Sequence, residues 1–164
     1  MVTTTGKENI RMAIVRPSKL TDVAIVAENM RKEDIAEVKA QNGGCPKGSL
    51  LYAYFMSKPC LTVVSRHGHL MAMGGVVPEG KKTGRIWLLG CQSMVDDSID
   101  RRWFLRKSKE TLAEMQSLYP LLFNMVDARN EVHVKWIDWL GFTFIKKHLN
   151  WGPESQMFYE FVRI

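Results

Sequence analysis

Apolar residues recur along this chain with two periods, and the switches between them mark its elements. Runs that alternate, or are short and wholly apolar, read as strands at residues 12–16, 60–65, 69–77, 85–92, 121–126, 142–149 and 157–163. Helical spacing appears at residues 21–29 and 31–41, in a piece opened by Ser49, and over 99–118. In the last of these Phe104, Ser108, Leu112, Met115 and Leu118 fall on one side. In the 31–41 piece Ile35 and Val38 alternate with Lys32, Glu33, Asp34 and Glu37, so the acidic residues read as its polar face. Ser18 or Thr21 is the expected cap of the first helix and Ser49 that of the third. Pro17, Lys58-Pro59 and the glycine- and proline-bearing stretches 41–46, 78–84 and 150–154 supply the breaks. The run RIWLLGCQ at 85–92 reads as the most buried strand.

The densest signals lie in residues 124–142, NMVDARNEVHVKWIDWLGF. A strand ends at Asp127, and Asn130 stands where a helix N-cap belongs. Val132, Trp136, Trp139 and Leu140 recur at helical spacing, and Gly141 supplies the left-handed residue that stops a helix. The element order is then strand, helices, three strands, helix, strand, helix and a final strand pair. That order predicts an α+β fold with a mixed, mostly antiparallel sheet of about seven strands, holding a central parallel pair and flanked by helices. The connections through the 99–118 helix and the helix from Glu131 are of βαβ type, so the strands they join should be parallel.

With 164 residues and 46% hydrophobic content, the chain suits one folded domain over 12–164 behind a polar, flexible extension at 1–11. A formal net charge of +6 permits a polyanionic partner, either nucleic acid or a phosphate-bearing cofactor. No nucleic-acid motif accompanies that charge, so nucleic acid ranks last among the partners. Cys45, Cys60 and Cys91 are odd in number and widely spaced, which disfavours disulfides and zinc, and Cys60 and Cys91 read as buried thiols. His67 and His69 flank a turn with no third ligand in sight, so no metal is expected. No apolar run reaches membrane-spanning length, and a reducing, cytoplasmic location fits.

The element order, together with Asn130 and the Gly141-Phe142 stop at its spacing, resembles the GCN5-related N-acetyltransferase (GNAT) superfamily over residues 12–164. The WLLG run at 87–90, RRWFLR at 101–106 and the 124–142 stretch resemble a branch encoded by tailed phages. That branch includes predicted acyltransferases and the internal virion (assembly) protein of short-tailed phages. The resemblance implies an acetyl-CoA-dependent N-acyltransferase acting on an amine of a small molecule or protein. Its alternative is an inactive GNAT-fold protein that meets virion or host proteins.

In such a protein the donor lies where two parallel strands splay. Gly90 interrupts an apolar strand, which suggests a bulge or a close backbone approach. The resemblance makes it a bulge and assigns the backbone of Gly90, Cys91 and Gln92 to the thioester carbonyl, with Ser93 and Asn130 beside the cofactor. The glycine-rich phosphate loop of the family is replaced by SMVDDSID at 93–100, with three aspartates and no glycine. Arg101 and Arg102 are the candidate compensating cations, and with Arg106 and Lys109 they also read as a solvated basic face. Glu79 is the implied general base. The position of the family's proton-donating tyrosine holds Ile137, and His133, one turn earlier, is the candidate replacement.

Overall fold

The computed structural model describes residues 11–164, so the expected extension at 1–11 lies, apart from Arg11, outside the described residues. Seven strands form one sheet: β1 (Ile14–Pro17), β2 (Cys60–Val64), β3 (Leu70–Pro78), β4 (Thr83–Gly90), β5 (Leu121–Asp127), β6 (Thr143–Trp151) and β7 (Gln156–Arg163). Their order is β1-β2-β3-β4-β5-β7-β6, and β4–β5 is the parallel pair. The helices are α1 (Leu20–Glu28), α2 (Lys32–Asn42), α3 (Pro46–Met56), the single turn α4 (Ser93–Asp96), α5 (Ser98–Leu118) and α6 (Glu131–Trp139).

The crossover through α5 gives the parallel pair, as its length requires. The crossover through α6 leaves β6 parallel in direction to β5, as expected, with β7 inserted between them and antiparallel to both. Aromatic side chains favour that insertion: Phe161 of β7 meets Phe142 and Phe144 edge-on, with ring centroids 5.2 and 6.2 Å away.

Two cores sandwich the sheet. On one face α1 and α3 bring Val23, Val26, Met30 and Leu50 onto Met73 and Cys91. On the other α5 and α6 bring Leu112, Met115, Ile137 and Leu140 onto Val76, Leu122, Val126 and Phe161. Alternation along β3 explains the division, since Met73 and Val76 point to opposite faces.

Several local expectations shift. The cap of α1 is Lys19, whose N–H donates to Asp22 at 2.8 Å, and α3 starts at Pro46 behind Cys45 rather than at Ser49. Leu118, expected on the packed side of α5, is exposed. β3, not β4, is the most buried strand. β4 is only partly buried over Ile86–Leu89 because its β5 side is open there. In α6 the buried face is His133, Ile137 and Leu140, while Val132 and Trp139 are exposed. A histidine therefore shares the buried face with Ile137, as their one-turn spacing predicts.

Candidate active site

β4 and β5 are hydrogen-bonded only from Thr83–Leu121 to Arg85–Phe123, and beyond that point they part. Asn124 wedges the start of the gap. Its Nδ2 donates to the Ile86 carbonyl at 2.7 Å and its Oδ1 accepts the Met125 N–H at 2.8 Å. Beyond the wedge a cavity of about 250 Å³ crosses the sheet, walled by Val38 and Ala53 on one face and by Phe104, Leu112 and Trp136 on the other.

The gap opens without the bulge expected at Gly90. The β3–β4 register runs unbroken from Gly84–Pro78 to Gly90–Ala72. The parting comes instead from Asn124 and from α2, whose acidic side chains take over the backbone groups that β5 abandons. Gly90 N–H donates to Asp34 at 2.8 Å, and Gly90 C=O accepts from Arg31 N–H at 2.9 Å. On the β5 side, Asp127 N–H donates to Glu37 at 3.3 Å. Asn130 lies between these carboxyls, its Nδ2 donating to Asp34 and to Glu37 at 3.0 Å each. The Asn130 side chain therefore makes no cap bond to α6. Asp34 is fully buried and Arg31 is 3% exposed, so α2 turns the acidic face predicted to be solvated into the sheet gap.

Two cavity-lining groups are titratable at useful pH. Burial pushes the Glu37 carboxyl up to about 8, outweighing the bond from Asn130 that favours its charged form. Burial also lowers the His133 imidazole, which outweighs the attraction of Asp34 and keeps the ring neutral. His133 Nδ1 stands 3.7 Å from Asp34 Oδ1, and its Nε2 is buried without a hydrogen-bond partner among the described residues. The two groups are thus displaced in opposite directions in one cavity, the pattern that separates an acid from a base.

One backbone donor also faces the gap. The Ile86 carbonyl and the Gly90 N–H and C=O point away from β3, so by alternation Leu88 N–H points the same way, past the end of the β4–β5 ladder. The expected donors at Gly90, Cys91 and Gln92 are all taken, by Asp34, the Met71 carbonyl and the Asn29 carbonyl. Ser93 Oγ donates to the Leu70 carbonyl at 3.2 Å. Glu79 is at the opposite end of β4. It is paired with Arg85 at 2.7 Å, and its N–H donates to the Thr83 carbonyl.

The start of α5, where the resemblance placed a phosphate loop, is closed. Asp97 Oδ1 accepts Ile99 N–H at 2.8 Å and Asp100 N–H at 3.1 Å. Arg66, 3.0 Å away, and those two amides hold the Asp97 carboxyl down to about 2. Arg101 and Arg102 are exposed and fold back onto the Val95 and Ser98 carbonyls. A pyrophosphate does not fit this turn, because a fixed carboxylate already occupies the amides it needs. The structure also gives His67 the acidic neighbours that the sequence hid, with Asp97 and Asp100 ligand atoms within 4.8 Å of it. Asp97 is already committed to Arg66 and to the helix cap.

No protein-family model and no curated protein matches the chain. Solved structures do. A spermidine N-acetyltransferase from Vibrio cholerae, in complex with CoA and spermine, superposes with a TM-score of 0.67 at 10% identity, covering 92% of this chain and 94% of that one. A GNAT-family acetyltransferase from Bacillus anthracis gives 0.67 at 12% identity, covering 94% and 96%. The ribosomal-protein-S18-alanine N-acetyltransferase from Escherichia coli gives 0.67 at 11%, covering 93% of each chain. The fold is the GNAT fold. In this GNAT fold, Gly141 with φ of 85° ends α6 as its spacing requires, and Ile137 is buried in the core. Among the described residues no helix is long and apolar enough to cross a membrane.

Proposed function

We propose that this protein is an N-acyltransferase that moves an acyl group from a thioester to an amine inside the β4–β5 cavity. The observation that carries this reading is the cavity itself, with a neutral His133, a high-pKa Glu37 and the Leu88 N–H facing one space. The amine nitrogen attacks the thioester carbonyl carbon, and the carbonyl oxygen gains charge against Leu88 N–H. His133 Nε2 takes the proton that the nitrogen sheds. The C–S bond breaks, and the departing thiolate takes the proton of Glu37. Neighbouring structures named for spermidine and for the alanine of a ribosomal protein support an amine acceptor. Acetyl-CoA, present as CoA in one neighbour, is the first donor to try.

Thiol release from acetyl-CoA and from S-acetyl-pantetheine, with polyamines and peptide N-termini as acceptors, tests the reading. Amine-dependent release that is lost in His133→Ala is expected. Absence of heat on calorimetric titration with both donors at millimolar concentration removes it. Glu79→Gln tests the alternative base, since loss of release there returns the chemistry to the 78–84 turn.

A second reading is a non-catalytic GNAT-fold protein of a tailed phage, serving in virion assembly or host contact. The closed phosphate turn and the buried Ile137 favour it. Failure of both donors to bind is the result that leaves this reading standing. An acylating phage protein acting in the host cytoplasm combines the first reading with the sequence resemblance.

A further inference from the structure

The donor's far end has an unusual environment in this chain. Phosphoanhydride recognition at a helix start requires free N–H groups and favours positive potential. Here Ile99 and Asp100 N–H are spent on Asp97. In the turn before it, Cys91, Gln92, Met94 and Val95 N–H all donate to backbone carbonyls. A second carboxylate, Asp100, is 2% exposed and accepts Arg66 N–H at 3.3 Å, so negative charge is built into the turn. Beside it, between the start of α5 and α6, a cleft of about 410 Å³ is walled by Met94, Val95, Leu105, Trp136 and Trp139, with Arg101 and Lys135 also lining it. His133 lines both this cleft and the sheet cavity, so the two adjoin at the proposed reacting atoms.

Resting on the acyl-transfer reading, we infer that the donor is held by its acyl-pantetheine arm alone. The apolar cleft and the sheet gap take the arm, and the chain gives no binding to a nucleotide diphosphate at its end. An amide-and-methyl arm suits apolar walls. A pyrophosphate beside Asp97 and Asp100 meets repulsion, and the Ile99 and Asp100 amides that would offset it are already bound to Asp97. The consequence is indifference: a small acyl-pantetheine thioester serves as well as acyl-CoA.

The test is calorimetric titration of the full chain at 150 mM salt with S-acetyl-pantetheine, with acetyl-CoA and with an acetylated holo carrier protein. Dissociation constants for the first two within about threefold of each other are expected. Acetyl-CoA tighter by tenfold or more overturns the inference and leaves acyl transfer intact. Silence from every donor overturns both. Binding of the carrier protein assigns the arm to a protein source, and its failure beside bound acetyl-pantetheine assigns it to a free thioester. Asp97→Asn keeps a capping oxygen and removes the charge. It is expected to tighten acetyl-CoA while leaving acetyl-pantetheine within twofold, and an unchanged ratio overturns the role given to Asp97.

Discussion

The Asp34 carboxylate accepts the Gly90 N–H at 2.8 Å, joining α2 to the far end of β4 across 56 positions of sequence. It replaces the strand that β4 loses when β5 turns away. The same carboxylate takes Asn130 Nδ2 at 3.0 Å and faces Arg31 at 3.4 Å. Asp34→Ala therefore leaves the buried Gly90 amide without its acceptor, and leaves Asn130 Nδ2 with Glu37 alone and the buried Arg31 guanidinium with the exposed Glu33 alone. The expected cost is about 3–5 kcal/mol, with a smaller loss for Asp34→Asn, read as urea midpoints at unchanged m-value.

The wedge at Asn124 can be tested in the same way. Asn124→Ala strips partners from the Ile86 carbonyl and the Met125 N–H in a partly buried setting. A loss of about 2 kcal/mol or more is expected in chemical denaturation.

Glu37 makes stability depend on pH with a definite sign. The folded chain keeps its proton up to about 8, while the ordinary value is 4.5. Between those values the folded state binds more protons than the unfolded state, so this contribution is full below 4.5 and is lost as pH rises through about 8. Wild type should lose stability relative to Glu37→Gln between pH 5 and pH 8.5, by a few kcal/mol. Parallel thermal melts of the two proteins across that range measure it, and equal slopes contradict it.

The same two groups set the form of the rate profile. His133, lowered by burial, stays neutral and competent to below its ordinary value of 6.5, and Glu37 is a proton donor until pH passes about 8. A bell-shaped kcat/KM profile with an alkaline limb near 8 is expected. Glu37→Gln should abolish that limb and lower turnover by roughly 10²-fold, without weakening donor binding.

Two glycines with positive φ should respond unequally to alanine. At Gly141, φ is 85° and the nearest heavy atom to an added Cβ is Arg163 Nε at 3.8 Å, so about 1–2 kcal/mol of backbone strain is the whole cost. At Gly152, φ is 68° and the Cβ would enter the Ala40 carbonyl oxygen. Its alanine variant should lose at least twice as much, compared by thermal melts.

Most of the fold was legible because its signals are local. Gly141 needs only its own φ, the period-two runs need only their neighbours, and the length of α5 forces a parallel return. What was not legible involved partners distant in sequence. The insertion of β7 between β5 and β6 depends on aromatic packing that no spacing reveals. Spacing put His133 one turn before Ile137, but its burial depends on what α6 packs against. The buried face of α6, His133 with Ile137 and Leu140, becomes visible only when the helix is laid on the sheet.

The candidate site shows the division most sharply. The sequence by itself determined that a helix would cross between two parallel strands, that the turn before α5 would be acidic and free of glycine, and that position 137 would carry no proton donor. Only the tertiary structure decided where the carboxylates of α2 point. Lys32, Glu33, Asp34 and Glu37 share one local pattern, yet Asp34 and Glu37 enter the gap while Glu33 stays exposed. The reason is that a carboxylate is buried only where donors await it. Here those donors are Gly90, Asp127 and Asn130, each more than fifty residues away in the chain.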